Sequence, residues 1–169
     1  MPNCLDSLFE GESPFDRLIA FEVYDGPIVG VVLCCSGGDA GFFRLLAWDD
    51  SQERRVFALS PLPQVQLVAL VSALAETQDA RWPEWWLGYL DEPTARAKVA
   101  DAILEVSSEA GATTHVVVSK NLLSEIEGVT ALTGDAERSQ YERLSKRSEP
   151  SAEVSDAPFV EWLAFIDGV

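Results

Sequence analysis

Histidine appears once in this chain, at His115, and cysteine three times, at Cys4, Cys34 and Cys35, with no Cys-x-x-Cys pair among them. One histidine excludes a two-histidine metal site, and any Ser/His/Asp or Cys/His relay would have to use His115. No G-x-S-x-G or comparable setting accompanies a serine or cysteine. His115 stands at the start of a predicted strand and reads as a satisfied edge residue. An odd cysteine count fits a reducing compartment rather than a disulfide framework. Cys34 and Cys35 are neighbours on a predicted strand, so their side chains point to opposite faces and suit buried thiols better than a shared metal. "CSGGDAG" lacks the G-K-[ST] ending of a phosphate loop and leads into a strand, as a hairpin turn would.

Long apolar runs are missing too. "IVGVVLCC" and the stretch from Val65 to Ala75 fall short of the roughly 20 residues that span a bilayer. The start, "MPNCLDSLFEGESPF", has acids where a signal peptide carries positive charge. A cytoplasmic protein is the expectation. Basic residues are scarce, with 12 Lys and Arg against 28 Asp and Glu and a net charge of -16. That sign repels nucleic acid and anionic membranes, so neither is expected as a partner, while a basic protein is attracted. The excess is shared by both halves of the chain, as a general solvated coat would be.

What is present suits one α+β domain, since 169 residues with 47% apolar content can bury a single core. "FDRLIAFEVYD", "IVGVVLCC", "FFRLLAWD" and "RRVFALS" read as four short strands joined by turns, an antiparallel meander. The second is apolar on both faces and therefore central. After Pro61 and Pro63, "QVQLVALVSALAETQD" predicts a helix over 64–79, capped by Ser60 and apolar nearly all round. A second helix is predicted from about Pro93 to 110, ending at Gly111. Its apolar stripe is Ala95, Val99, Ala102, Ile103, Val106 and Ala110, and Asp101, Glu105 and Glu109 share its polar face. "TTHVVVS" predicts another strand and "VTALT" one more. The expected architecture is an antiparallel β-meander sheet of four to six strands packed against two main helices, with a short C-terminal helix. Residues 1–133 form the core domain in this reading. Residues 134–156 form a polar surface or mobile segment, with a short helix between Glu137 and Arg147. Residues 157–169 form an apolar element that docks on the core or on a partner.

Two aromatic clusters stand out. In "RWPEWWLGYL", Trp82, Trp85, Trp86 and Tyr89 fall at i, i+3, i+4 and i+7, the spacing of one helical face behind Pro83. That face either covers the apolar helix 64–79 or stacks a ligand or anchors a partner. In "APFVEWLAFIDGV", Phe159, Trp162, Leu163 and Ile166 repeat the spacing, and a strand is the alternative. These eight residues are the candidate partner or ligand contacts. No residue is assigned to catalysis, to a cofactor or to a metal. The functional expectation is a non-catalytic acidic protein of the bacterial-cytosol kind acting through protein contacts, such as an inhibitor or immunity-type protein for a basic partner. A small-ligand or carbohydrate binder using the tryptophans, and an enzyme using carboxylates, are the alternatives. A homodimer would supply cover for apolar elements that lack it.

Overall fold

Strands form where the sequence alternates or concentrates β-branched and aromatic residues, and their registers determine which side chains share a face. The computed structural model describes residues 15–23, 27–34, 40–49, 54–62, 67–68, 70, 72–73, 84–86, 92–109, 111–120, 125–147 and 156–168. The strands are β1 (Phe15–Val23), β2 (Pro27–Cys34), β3 (Ala40–Asp49), β4 (Arg54–Leu62), β5 (Glu84–Trp86), β6 (His115–Lys120) and β7 (Glu125–Ala131). They make one sheet in the order β5-β1-β2-β3-β4-β6-β7. Every pairing is antiparallel except β5, which runs parallel to β1. The helices are α1 (Pro93–Glu109), α2 (Asp135–Arg147) and α3 (Asp156–Asp167), and Leu67, Val68, Leu70, Ser72 and Ala73 are also helical. The fold is α+β on an antiparallel sheet, as the patterning implies.

Opposed residues trace the two faces. Ile19 pairs with Val31, Val31 with Phe42 and Phe42 with Ser60. Two residues along β3, Arg44 pairs with Val29 and Ala58, and the row continues to Val116 and Thr130. A third row holds Ala47, Val56, Val118 and Gly128. All three rows lie on one face, because residues two apart on a strand point the same way. Helices cover this face at both ends. Leu67, Leu70 and Ala73, with Val99, Ala102 and Val106 of α1, pack on Ile19, Val31, Ala40 and Leu62. Tyr141 and Leu144 of α2, with Phe159, Trp162 and Phe165 of α3, pack on Ala47, Val56, Ala58, Val116 and Val118.

The opposite face gathers Leu18, Ala20, Val32, Phe43, Phe57, Leu59 and Val117, all buried. Phe43 and Phe57 meet edge to face at 5.6 Å, a favoured aromatic geometry. Gly30 is opposed by Ala20 and Phe43. An added Cβ there would stand 2.8 Å from the Phe43 ring and strike the Ile19 carbonyl, so the close approach requires glycine. Among the described residues no helix packs on this face.

Three expectations are corrected. Glu84–Trp86 is a strand and not part of a helix, because these residues complete the exposed edge of β1, and that pairing outweighs a local helical spacing. Trp82 and Tyr89 lie outside the described residues. Ser60 sits inside β4 and is buried, so it caps no helix. Strand β4 runs through Pro61, which is tolerated because the pairing with β6 ends at Leu59 and leaves that edge without a ladder to break. The strand alternative for "FVEWLAF" also gives way to α3, where Asp167 is followed by Gly168 with φ of 74°, a left-handed helix stop.

The predicted second helix matches α1. Glu92 accepts hydrogen bonds from the backbone N–H of Thr94 at 3.1 Å and of Ala95 at 2.6 Å, satisfying donors that the helix leaves open. Pro93 fills the first helical position, where its missing N–H costs nothing. Those bonds hold the Glu92 carboxyl below its ordinary range. On α3, Trp162 has no exposed surface and meets Tyr141 and Phe165, each at 5.8 Å. The helix lies against β7, where Thr130 Oγ1 donates to the Ile166 carbonyl at 3.3 Å. A Cβ at Gly128 would stand 3.0 Å from Ile166 Cγ2.

Truncating Trp162 to alanine should cost about 3–5 kcal/mol in denaturant unfolding of the full chain. Val160→Ala, on the exposed side of the same helix, should stay within about 0.5 kcal/mol. Gly128→Val should cost about 1–3 kcal/mol, because the added methyls push against α3.

Candidate functional site

Arg44 interrupts an apolar strand, "FFRLLAW", and its place in the sheet makes it the centre of a polar cluster. It lies on the helix-bearing face of β3, opposite Val29 and Ala58, and it is exposed, so solvent reaches the middle strand of the sheet at this position. Arg44 Nη2 donates to Tyr141 Oη at 3.3 Å. Tyr141 Oη is also 3.0 Å from Thr113 Oγ1, and either hydroxyl can be the donor. Arg138 of α2 donates from Nη2 to the Leu132 carbonyl at 3.2 Å and the Thr113 carbonyl at 3.5 Å. The cluster joins β3, the segment before β6, the end of β7 and α2.

Local chemistry explains how each part is held. Thr114 N–H donates to the Leu59 carbonyl and Leu132 N–H to the Thr114 carbonyl, which fixes the segment carrying Thr113 to the sheet. Asp135 and Glu137 stand in the first turn of α2, where negative charge favours the helix dipole. Tyr141 is placed by its ring, which is buried against Trp162 while the hydroxyl meets Arg44 and Thr113. His115, the first residue of β6, is buried on the other face, with Nδ1 2.9 Å from Thr114 Oγ1.

A second charged group clamps α3. Glu127 is the extra residue of a β-bulge between the Val118–Gly128 and Ser119–Ile126 pairs. Its carboxylate meets Arg54 Nε at 2.7 Å and Lys120 Nζ at 3.2 Å. Arg54 also lies over the Phe159 ring, 5.4 Å from its centroid, a cation–π distance. Burial pushes the Glu127 carboxyl up, but hydrogen bonds and charge from Arg54 and Lys120 outweigh it and hold the group below its ordinary range.

The residues singled out from the sequence fall in different places. Phe159 and Trp162 are buried, and Leu163 and Ile166 are partly buried, in the same cluster as the chain's own sheet. Trp85 and Trp86 stand in register with Ile19 and Ala20 of the edge-neighbouring strand. Arg44, Thr113 and Tyr141 escaped sequence reasoning. Their signals were a lone base in an apolar strand, a threonine just before another, and one aromatic in a polar segment. Among the described residues no three His, Cys, Asp or Glu side chains are grouped to hold a metal, and no helix is long and apolar enough to cross a membrane. No protein-family model, curated protein or solved structure matches the chain.

Since its folded-state carboxyl lies below the ordinary value, Glu127 stabilises the fold fully above about pH 4.5, and the contribution is lost as pH falls through the lowered value. Glu127→Gln should cost about 0.2–1 kcal/mol at neutral pH, the range of a partly exposed ion pair. The difference from the parent should shrink in acid, as read by urea unfolding at a series of pH values.

Proposed function

We propose that the protein is non-catalytic and acts through protein contacts in the cytoplasm, as an inhibitor or immunity-type protein for a basic partner. The observation that carries this reading is the outer face of α1. Asp101, Leu104, Glu105 and Ser108 fall at i, i+3, i+4 and i+7 and are all exposed, and Leu104 keeps 67% of its surface in water. A large aliphatic side chain beside carboxylates supplies an apolar anchor with a charged rim. A net charge of -16 speeds encounter with a cationic surface. The contact is placed on α1 and not on α2, because α2 carries Arg138, Arg143, Lys146 and Arg147.

Trp82, Trp85, Trp86 and Tyr89 serve as a second set of anchors in this reading. Phe159, Trp162, Leu163 and Ile166 do not, because their apolar surface is engaged within the chain. A second copy of the protein is the competing occupant of the α1 face.

The test is affinity capture from the source organism's lysate with the full chain and with the Asp101→Lys/Glu105→Lys double variant, both checked for folding by circular dichroism. The expected result is a defined protein rich in Lys and Arg that moderate salt releases and the variant fails to hold. Capture unaffected by charge reversal, or a chain recovered only with itself, would overturn the proposal.

A further inference from the structure

We propose that the exposed polar cluster on the helix-bearing face binds a small anion through one carboxylate or phosphate group, with Arg44 as its principal contact and the Tyr141–Thr113 hydroxyl pair beside it. The chain has 28 acidic and 12 basic residues, so a base is expected to find a carboxylate. Arg54 and Lys120 do, sharing Glu127. Among the described residues Arg44 has no such partner, and its contact is a phenol oxygen. A guanidinium carries five N–H donors in a planar fork and no acceptor. One bond to Tyr141 leaves donors on the side open to solvent.

The hydroxyl pair adds to this. Tyr141 and Thr113 hold two hydroxyl protons and share a single bond between them. One proton is consumed in that bond, whichever group donates it, and the other is available to a ligand. Arg44 already donates to the Tyr141 oxygen, which favours Tyr141 as the donor to Thr113 and leaves the threonine proton free to turn. Arg44, Tyr141 and Thr113 thus offer donors in excess of acceptors. That is the chemistry of an oxyanion site, and the planar fork matches the two oxygens of a carboxylate or phosphate.

The site is also preorganised. Tyr141 is fixed by its buried ring against Trp162, and Thr113 by the backbone bonds on either side of Thr114. Arg138 adds a second positive charge behind Thr113, tied to the Thr113 and Leu132 carbonyls. The acidic coat opposes highly charged ligands, but its distant charges are screened beyond about 8 Å at physiological salt. A group of one or two negative charges suits that balance better than a polyphosphate.

The experiment follows the Arg44 Nε–Hε resonance of the full chain by NMR while inorganic phosphate or propionate is added at constant ionic strength with chloride. A saturating shift with either probe supports the proposal and identifies which oxyanion group the cluster prefers. Arg44→Gln, an exposed position whose change spares the core, should weaken binding at least about tenfold, as loss of a charge-assisted bond implies. Tyr141→Phe should weaken it by a smaller factor with the fold retained. A shift that is linear and equal to that of chloride, or saturable binding that Arg44→Gln leaves intact, would overturn the proposal.

Discussion

Trp162 connects the parts of this molecule that carry its character. Its ring is wholly buried on the sheet, and it touches Tyr141 on α2 and Phe165 on its own helix. Tyr141 in turn presents the hydroxyl that meets Arg44 and Thr113. The polar cluster around Arg44 therefore depends on a hydrophobic contact made by the last helix of the described chain. Arg54, held by Glu127 and lying over Phe159, secures the same helix from the side. Burying an indole of this size contributes several kcal/mol, whereas a partly exposed ion pair contributes less than about one. Apolar packing holds α3, and the charges set where it lies.

The described helices share one face of the sheet. One group packs on Ile19, Val31, Ala40 and Leu62, the other on Ala47, Val56, Ala58, Val116 and Val118. Arg44 is exposed on that face although Ala58 and Val116 of its row are buried, and its charge is tolerated at the centre of the sheet because water reaches the side chain. Charge is uneven as well. Of the twelve bases only Arg81 lies outside the described residues, so much of the acidic excess falls outside them, and α2 is locally basic.

The strands other than β5, and α1, were legible in the sequence because period and turn residues are local signals. Val99, Ala102 and Val106 occupy the buried stripe that their spacing implies. The aromatic spacing at 82–89 misled, because pairing with the β1 edge is a tertiary event that no local pattern encodes. For Phe159 and Trp162 the anchor pattern was real, but whether an anchor serves a partner or its own core depends on which apolar face is uncovered nearby. Arg44 was invisible as a site for the same reason. Its meaning comes from Tyr141, which lies 97 residues away and reaches it only through the fold.

The most direct measurement is an isotope-filtered NOE experiment on an equal mixture of labelled and unlabelled full-length protein, reading contacts from the Trp162 indole to the Tyr141 ring and the Val116 and Val118 methyls. The account predicts these contacts within one molecule and none between molecules. Intermolecular contacts, which would mean that α3 is exchanged between copies, or no contacts at all, would contradict it.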